Sequence, residues 1–231
     1  MFEKVLKYSF VLVLLFAASA LAQSNESYLP SKLVKLKSQV PEEWFIDSMV
    51  NFCNHTVYSK SDTTLRLYAK AISFYHEQRD SCKLSYVYAN RGALYERKNY
   101  ADSATQDFVF AKEYFNKDCS LKTHYLLYLN WGILYLDRDE FALCDSLSQI
   151  ALQDARKLKA PLLEIDILNN IAISKAQQNK LAEAMKVFRS IYKIARDNNH
   201  KEQFVKAMNN IGTTHAILGN LDSASYYYEK V

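Results

Sequence analysis

A forty-residue register constrains this chain more than any other feature. Gly92, Gly132 and Gly212 are separated by 40 and 80 residues, and the position between the last two holds another small residue, Ala172. Each closes a similar phrase: Asn90-Arg91-Gly92, Asn130-Trp131-Gly132, Asn170-Ile171-Ala172 and Asn210-Ile211-Gly212. In the same frame Thr64, Ala104, Cys144, Ala184 and Ala224 form a small column. Tyr68, Phe108, Ser148, Phe188 and Tyr228 form a mainly aromatic one, and Ala71, Ala111, Ala151, Ile191 and Val231 a third. Self-similarity at a fixed period of this size is the mark of a stacked repeat. Composition agrees on the element type. The 231 residues hold only 4 Gly and 3 Pro, where average usage would give roughly 16 and 11. So few breakers argue against sandwiches of short strands and against Gly-rich phosphate loops, and leave an all-α chain.

The register reads as a helix-turn-helix unit. Tyr128, Trp131 and Tyr135 recur at helical spacing in the first helix. A short turn is expected around Asn99, Asp139, Asn179 or Gly219, and the second helix opens with Asp102, Glu183 or Asp222, whose charge suits a helix N-terminus. The small residue of the first helix is expected to admit a neighbouring backbone. The small residue of the second helix faces it, and the aromatic four residues later fills the next layer. One hairpin cannot bury its apolar stripe alone, so neighbours must stack.

These columns resemble the tetratricopeptide repeat, most closely in the last unit, with Met208, Ile211, Gly212, His215, Gly219, Ala224, Tyr228 and Val231. The usual period is 34 residues. A period of 40 resembles the longer-repeat branch of kinesin light chains and bacterial regulatory proteins, with the extra residues expected in the second helix or the inter-repeat turn. The resemblance implies an all-α, right-handed α-α superhelix, a solenoid of antiparallel hairpins over 45–231. Its repeats are expected at 45–84 (degenerate), 85–124, 125–164, 165–204 and 205–231 (incomplete). The first repeat departs from the pattern, with Phe52 in the small column and His55 in the tyrosine column; Pro41-Glu42-Glu43-Trp44 reads as its start. The last unit stops within its second helix, which reads as a fragment of a longer protein or an unpaired final helix.

The N-terminus reads as an export signal. Lys4 and Lys7 precede an apolar run from Phe10 to Ala18, and Ala20-Leu21-Ala22 supplies a small-x-small cleavage site. Residues 1–22 are therefore expected to be cleaved, with an uncleaved anchor as the alternative. Residues 23–44 form a leader in which Leu33, Val34 and Leu36 could pack on the first repeat. An oxidising compartment permits disulfides, but the spacing of Cys53, Cys82, Cys119 and Cys144 fits no CxxC-type zinc site. Small buried hydrophobes or free thiols are the expectation. The net charge of +4 does not by itself predict nucleic-acid binding, and export argues against a nucleic-acid partner. The local basic excess over 175–206 reads as a solvated outer face, with docking of an acidic partner or lipid headgroups as the sharper alternative.

Solenoids of the resembled family bind proteins along the face of their first helices. Asn90, Asn130, Asn170 and Asn210 share the position at which related repeats hydrogen-bond a ligand backbone, and an amide both donates and accepts. The resemblance carries over further groove positions. These are Tyr86, Ala93 and Arg97 in the second repeat, and Leu129, Ile133 and Leu136 in the third. The fourth adds Asn169 and Ile173, and the fifth Lys206 and Asn209. The helix Tyr125 to Leu136 is apolar on nearly every side, either covered by a neighbour or forming a greasy groove centre. A carboxylate clamp is not implied, because Asn stands where that clamp needs Arg. Most of the Asp-Ser/Thr triplets at Asp47, Asp62, Asp102, Asp145 and Asp222 read as second-helix starts, where Asp and Ser serve the dipole and free N–H groups, and the triplets also resemble an O-glycosylation sequon of exported Bacteroidota proteins.

Catalysis finds little support. GxSxG, HExxH and phosphate-loop patterns are missing from the sequence. Cys53-x-His55 with His76 is the one cluster with nucleophile or metal character, and packing explains it as well. The expectation is a non-catalytic scaffold with no cofactor or metal, binding a protein or extended peptide. It is expected in the periplasm or cell envelope as the interaction or sensory part of a longer regulator, with attachment to a membrane through a C-terminal region outside this sequence. A free-standing assembly or adaptor factor is the alternative.

Overall fold

Helix and turn alternate on a twenty-residue beat in the computed structural model, which describes residues 31–55 and 62–230. A short helix α1 (Ser31–Lys37) precedes α2 (Glu42–His55) and α3 (Asp62–Glu77). Then follow α4 (Ser81–Arg97), α5 (Ala101–Tyr114), α6 (Leu121–Asp137) and α7 (Phe141–Lys157). The last four are α8 (Pro161–Gln177), α9 (Leu181–Asp197), α10 (Lys201–Ile217) and α11 (Leu221–Tyr228). The described residues contain no strand, and no helix among them is long and apolar enough to cross a membrane. The proposed export signal, residues 1–22, lies outside the described residues.

The beat comes from one turn used repeatedly. The middle linker residue is left-handed each time: Arg79, Asn99, Asp139, Lys159, Asn179, Asn199 and Gly219, with φ between 50° and 79°. Its N–H donates to the carbonyl three residues back, as in Asn99 to Glu96 at 2.8 Å, and the next N–H donates five back, as in Tyr100 to Tyr95 at 2.9 Å. This double closure satisfies carbonyls that a helix end would leave bare. The third linker residue also accepts the first bond of the following helix, as Tyr100 does from Ala104. A helix of 17 residues and a linker of three therefore give 20, and two of each give 40. The extra length expected in the second helix or one turn is instead shared evenly by both helices.

Helix starts also differ from expectation. Tyr100, Lys180 and Asn220 cap second helices without a side-chain hydrogen bond, and Asp102, Glu183 and Asp222 place an acidic group in the first turn there. Asp47 and Asp145 lie inside α2 and α7 rather than at their starts. The side-chain caps belong to first helices: Asp80 accepts from Lys83 N at 2.9 Å and Ser120 from Thr123 N at 3.1 Å.

The chain divides into two compact units, Met1–Asp118 and Cys119–Val231. In the first, α1 packs on α2, and α2 through α5 pack each on the next. Leu33 of α1 is buried, while Val34 is exposed. In the second, α6 through α11 pack in the same serial way, and α6 also meets α8. Its core runs through Tyr125, Leu152, Ile165, Phe188, Ile191 and Ile211. Cys53 and Cys144 are buried free thiols, whereas Cys82 is disulfide-bonded, against the expectation of a packing residue or free thiol.

The small and aromatic columns meet within each hairpin, but not as expected. A Cβ on Gly92 would lie 2.8 Å from Phe108 Cε1, and one on Gly212 2.9 Å from Tyr228 Cε1. The glycine thus makes room for an aromatic ring rather than for a backbone. The third repeat has Ser148 in place of the ring, and a Cβ on Gly132 would find Ser148 Oγ at 3.3 Å and the Cys144 carbonyl at 3.7 Å. One position earlier, the second repeat carries a bidentate ion pair. Arg91 Nε and Nη2 each reach Asp107 at 2.7 Å, with Asp107 nearly sealed from solvent. Burial raises the Asp107 pKa, and Arg91 opposes that shift. The equivalent pairs elsewhere are apolar: Trp131 with Leu147, Ile171 with Val187, Ile211 with Tyr227.

Two stability outcomes follow, both readable by thermal or denaturant unfolding. Gly92→Ala should cost about 1–3 kcal/mol, because Phe108 is fully buried and must move. Gly132→Ala should be neutral or stabilising by up to about 1 kcal/mol through helix propensity. Asp107→Val should cost about 3–5 kcal/mol by stranding Arg91, while Arg91→Ile with Asp107→Val should restore stability to near wild type.

Candidate functional site

In the second unit the first helices α6, α8 and α10 present a stripe at one register. On α8 it contains Asp166, Asn169, Ile173 and Gln177, and on α10 Lys206, Asn209, Thr213 and Ile217. Except for half-buried Asn169, all of these are exposed, with steps of three and four that keep them on one face. On α6 the same register holds Leu126, Leu129 and Ile133, all half-buried. Leu126, Tyr128 and Leu129 pack against the unit's core, so the apolar helix is largely covered rather than an open greasy surface.

The four expected asparagines fall at the edge of this register, each half-buried. Their amides are not equivalent. Asn90 Nδ2 donates to the Tyr86 carbonyl at 2.7 Å, one turn back on its own helix. Asn170 Nδ2 is buried and has no hydrogen-bond partner within the protein. A buried donor left unpaired costs free energy, so it gains from any acceptor brought to it. The Tyr125 hydroxyl is also buried without a hydrogen-bond partner, and it feels the charge of Asp166. Burial pushes the Asp166 carboxyl up, and Lys206 pulls it back. Polar groups of two successive first helices, Asp166 and Asn169 of α8 and Lys206 and Asn209 of α10, thus address one surface.

Other expected groove residues are distributed unevenly. Arg97, Ile173, Lys206 and Asn209 are exposed, and Tyr86, Leu129, Ile133 and Asn169 are half-buried. Ala93 and Leu136 are buried at 5% and 6% exposure and present no surface. Ala93 holds on α4 the register of Ile173 and Thr213, but there that position is covered, whereas Leu136 corresponds to Ala176 and Ala216, one position off the open stripe.

A second concavity lies in the first unit, a pocket of about 340 Å³ between α2, α3 and α4. Asp47 of α2 and Lys83 of α4 form its charged wall, with Lys83 Nζ 2.5 and 2.6 Å from the two carboxylate oxygens. Asp47 also accepts from the Tyr75 hydroxyl at 2.5 Å. Deeper in, Tyr68 donates to Asn54 Oδ1 at 2.7 Å, and Asn54 Nδ2 donates to the Tyr86 hydroxyl at 2.8 Å. Only Tyr86 of this group was anticipated from sequence. Asp47 and Asn54 belong to the degenerate first repeat, where no column aligns them with later units. The pairing of Asp47 with Lys83 spans 36 residues and follows no forty-residue spacing.

The Cys53 cluster has little nucleophilic character. Cys53 is 1% exposed, and burial raises its thiol to about 12. Burial also lowers the His76 pKa, and His76 sits edge-on to the rings of Tyr88 and Tyr114 as a packing group. The side chain of His55 lies outside the described residues. Over 175–206, Lys186, Arg189 and Lys193 face outward on α9, while Lys175 is engaged by Asp145 at 2.6 Å.

Comparison with known proteins bears on the fold. No protein-family model and no curated protein matches the sequence. Among solved structures, the chain is similar to aspartyl phosphate phosphatase F from Bacillus subtilis, at 16% identity and a TM-score of 0.68, covering 85% of this chain and 53% of that one. It is also similar to a signal transduction ATPase with numerous domains and a tetratricopeptide repeat sensor, from Pyrococcus horikoshii. There the identity is 16% and the TM-score 0.70, covering 86% of this chain and 31% of that one. The chain therefore has a tetratricopeptide-like, all-α helical-repeat fold, and spans about half of the first protein and about a third of the second.

The thiols give a direct check on the Cys53 assignment. Native protein treated with iodoacetamide at pH 8 should leave Cys53 and Cys144 unmodified, and unfolding should expose both. Rapid native alkylation of Cys53, read by mass spectrometry, would contradict its description as a packing residue.

Proposed function

We propose that this chain is a non-catalytic protein-binding scaffold whose ligand is an extended segment of a partner protein. The observation that carries the reading is the stripe on α8 and α10, flanked by the unpartnered amide donor of Asn170. An extended segment offers a carbonyl at regular intervals, and an asparagine can accept and donate to it at once. Asn130, Asn170 and Asn210 are assigned to that task, with Asp166, Asn169, Ile173, Lys206 and Asn209 as neighbouring contacts. Asn90, whose amide is used on its own helix, is assigned a smaller part. The raised Cys53 thiol supports binding over turnover.

The wider role proposed is that of an exported module in the periplasm or cell envelope, directed there by residues 1–22, and the interaction or sensory part of a longer regulator. The forty-residue period, the signal-like N-terminus and the resemblance to exported Bacteroidota repeat proteins support this. The names of the two similar structures, a phosphatase of aspartyl phosphate and a signal transduction ATPase, are compatible with a regulatory setting.

The test uses the full chain as bait in a periplasmic extract, followed by affinity measurement on the partner recovered. Asn130→Ala together with Asn170→Ala should weaken that partner's binding by roughly tenfold or more, as expected for two lost hydrogen-bonding groups. Unchanged affinity with an unchanged helical circular dichroism spectrum would remove the asparagines from the binding surface.

A further inference from the structure

The pocket between α2, α3 and α4 has a hydrogen-bonding polarity that can be worked out atom by atom. Tyr68 donates to Asn54 Oδ1, which fixes which end of the Asn54 amide is the acceptor. Its Nδ2 must then donate, and it does so to the Tyr86 hydroxyl oxygen. With its oxygen receiving the Asn54 amide, Tyr86 has its own proton left to offer. The Tyr75 proton is already committed to Asp47. Lys83 has three N–H donors, with contacts to both oxygens of Asp47.

The acceptors are equally uneven. Asp47 Oδ1 receives both Tyr75 and Lys83, whereas Oδ2 receives Lys83 alone. A carboxylate has about four acceptor sites, so Oδ2 can take a further donor. Asp47 and Lys83 are each 39% exposed at the side chain, so this wall opens to the pocket mouth. The pair is electrically neutral. An anion entering beside Lys83 would meet Asp47, and a cation entering beside Asp47 would meet Lys83. An uncharged group that accepts at one end and donates at the other meets neither penalty. The volume, about 340 Å³, is at the small end for ligand sites and suits one side chain.

We propose that this pocket receives a primary carboxamide, the side chain of a glutamine presented by a bound partner. Its carbonyl oxygen accepts from Tyr86 and Lys83, and its NH₂ group donates to Asp47 Oδ2. The proposal rests on the protein-binding reading for the source of the glutamine, but the pocket's chemistry is testable without any partner.

The experiment titrates the full-length chain with three blocked amino acids, the N-acetyl, N-methylamide forms of glutamine, glutamate and norleucine, followed by NMR chemical-shift changes. All three share main-chain amides, so only the side chain differs. The glutamine compound should shift resonances of Tyr86 and Lys83. The glutamate and norleucine compounds should bind at least about tenfold more weakly. Tyr86→Phe should weaken the glutamine compound about fivefold, since it removes one neutral donor, and Lys83→Met should do the same or more. Equal binding of the three compounds, tighter binding of glutamate, or no shift at Tyr86 and Lys83 on saturation with glutamine would each overturn the proposal. Because these comparisons use wild-type protein, they hold even where a variant is destabilised. Loss of partner binding in the Asn130 and Asn170 variants would leave them unchanged, so the two readings fail separately.

Discussion

The left-handed residue that closes seven of the helices is the constraint on which the rest of the architecture depends. With that one residue held at φ near 60°, two backbone hydrogen bonds close the helix and the third linker residue starts the next. The chain reverses in three residues, so helix length alone sets the period. Because six helices have the same 17 residues, side chains forty positions apart return to the same face. The open stripes on α8 and α10 share a register for this reason. Only Gly219 is the residue type that adopts this conformation without cost; Arg79 and Lys159 hold it against the preference of their side chains, sustained by the hydrogen bonds around them. From α3 onward the pattern breaks after α5, where a longer connection over 115–120 replaces the three-residue turn and ends on the Ser120 cap.

Within that frame, each hairpin solves the same packing problem with different chemistry. Gly92 accepts the edge of Phe108 and Gly212 that of Tyr228, while Gly132 faces only Ser148. Beside these contacts the second repeat places Arg91 and Asp107 where its relatives place apolar pairs. A buried ion pair in this position is matched to itself rather than to its neighbours. Desolvation works against both partners, and the two hydrogen bonds offset it. Specificity of the hairpin, more than added stability, is the physical gain available from such a pair.

Much of the fold was legible because a repeat states its own rule several times. The columns of small and aromatic residues located every hairpin from α4 onward, and the turns at Asn99, Asp139, Asn179 and Gly219 fell where expected. The turns at Arg79 and Lys159 were not legible, since those residue types do not announce a left-handed backbone. Nor was the partner of the glycines: a small residue signals close approach but not whether a ring or a backbone approaches. The open stripe was partly legible through Asn169, Ile173, Lys206 and Asn209, whereas Ala93 occupies a matching position that is covered on α4 and buried Leu136 lies one position off the register. The pocket around Asp47, Asn54 and Lys83 was illegible because its polar network arises from tertiary pairing in a unit with no repeated column.

Two surfaces therefore differ in how they hold polar groups. The pocket in the first unit has nearly every polar atom engaged, with a few directed donors and one spare acceptor. Beside the stripe in the second unit, the Asn170 amide is left without a hydrogen bond inside the protein. Under the proposed reading, a partner chain supplies the missing acceptor. Hydrogen–deuterium exchange on the full chain, with and without its captured partner, tests this most directly. A binding surface on the first helices predicts added protection in α6, α8 and α10 with α7 and α9 unchanged. Protection confined to the outward face of α9, with none on α8 and α10, would contradict it.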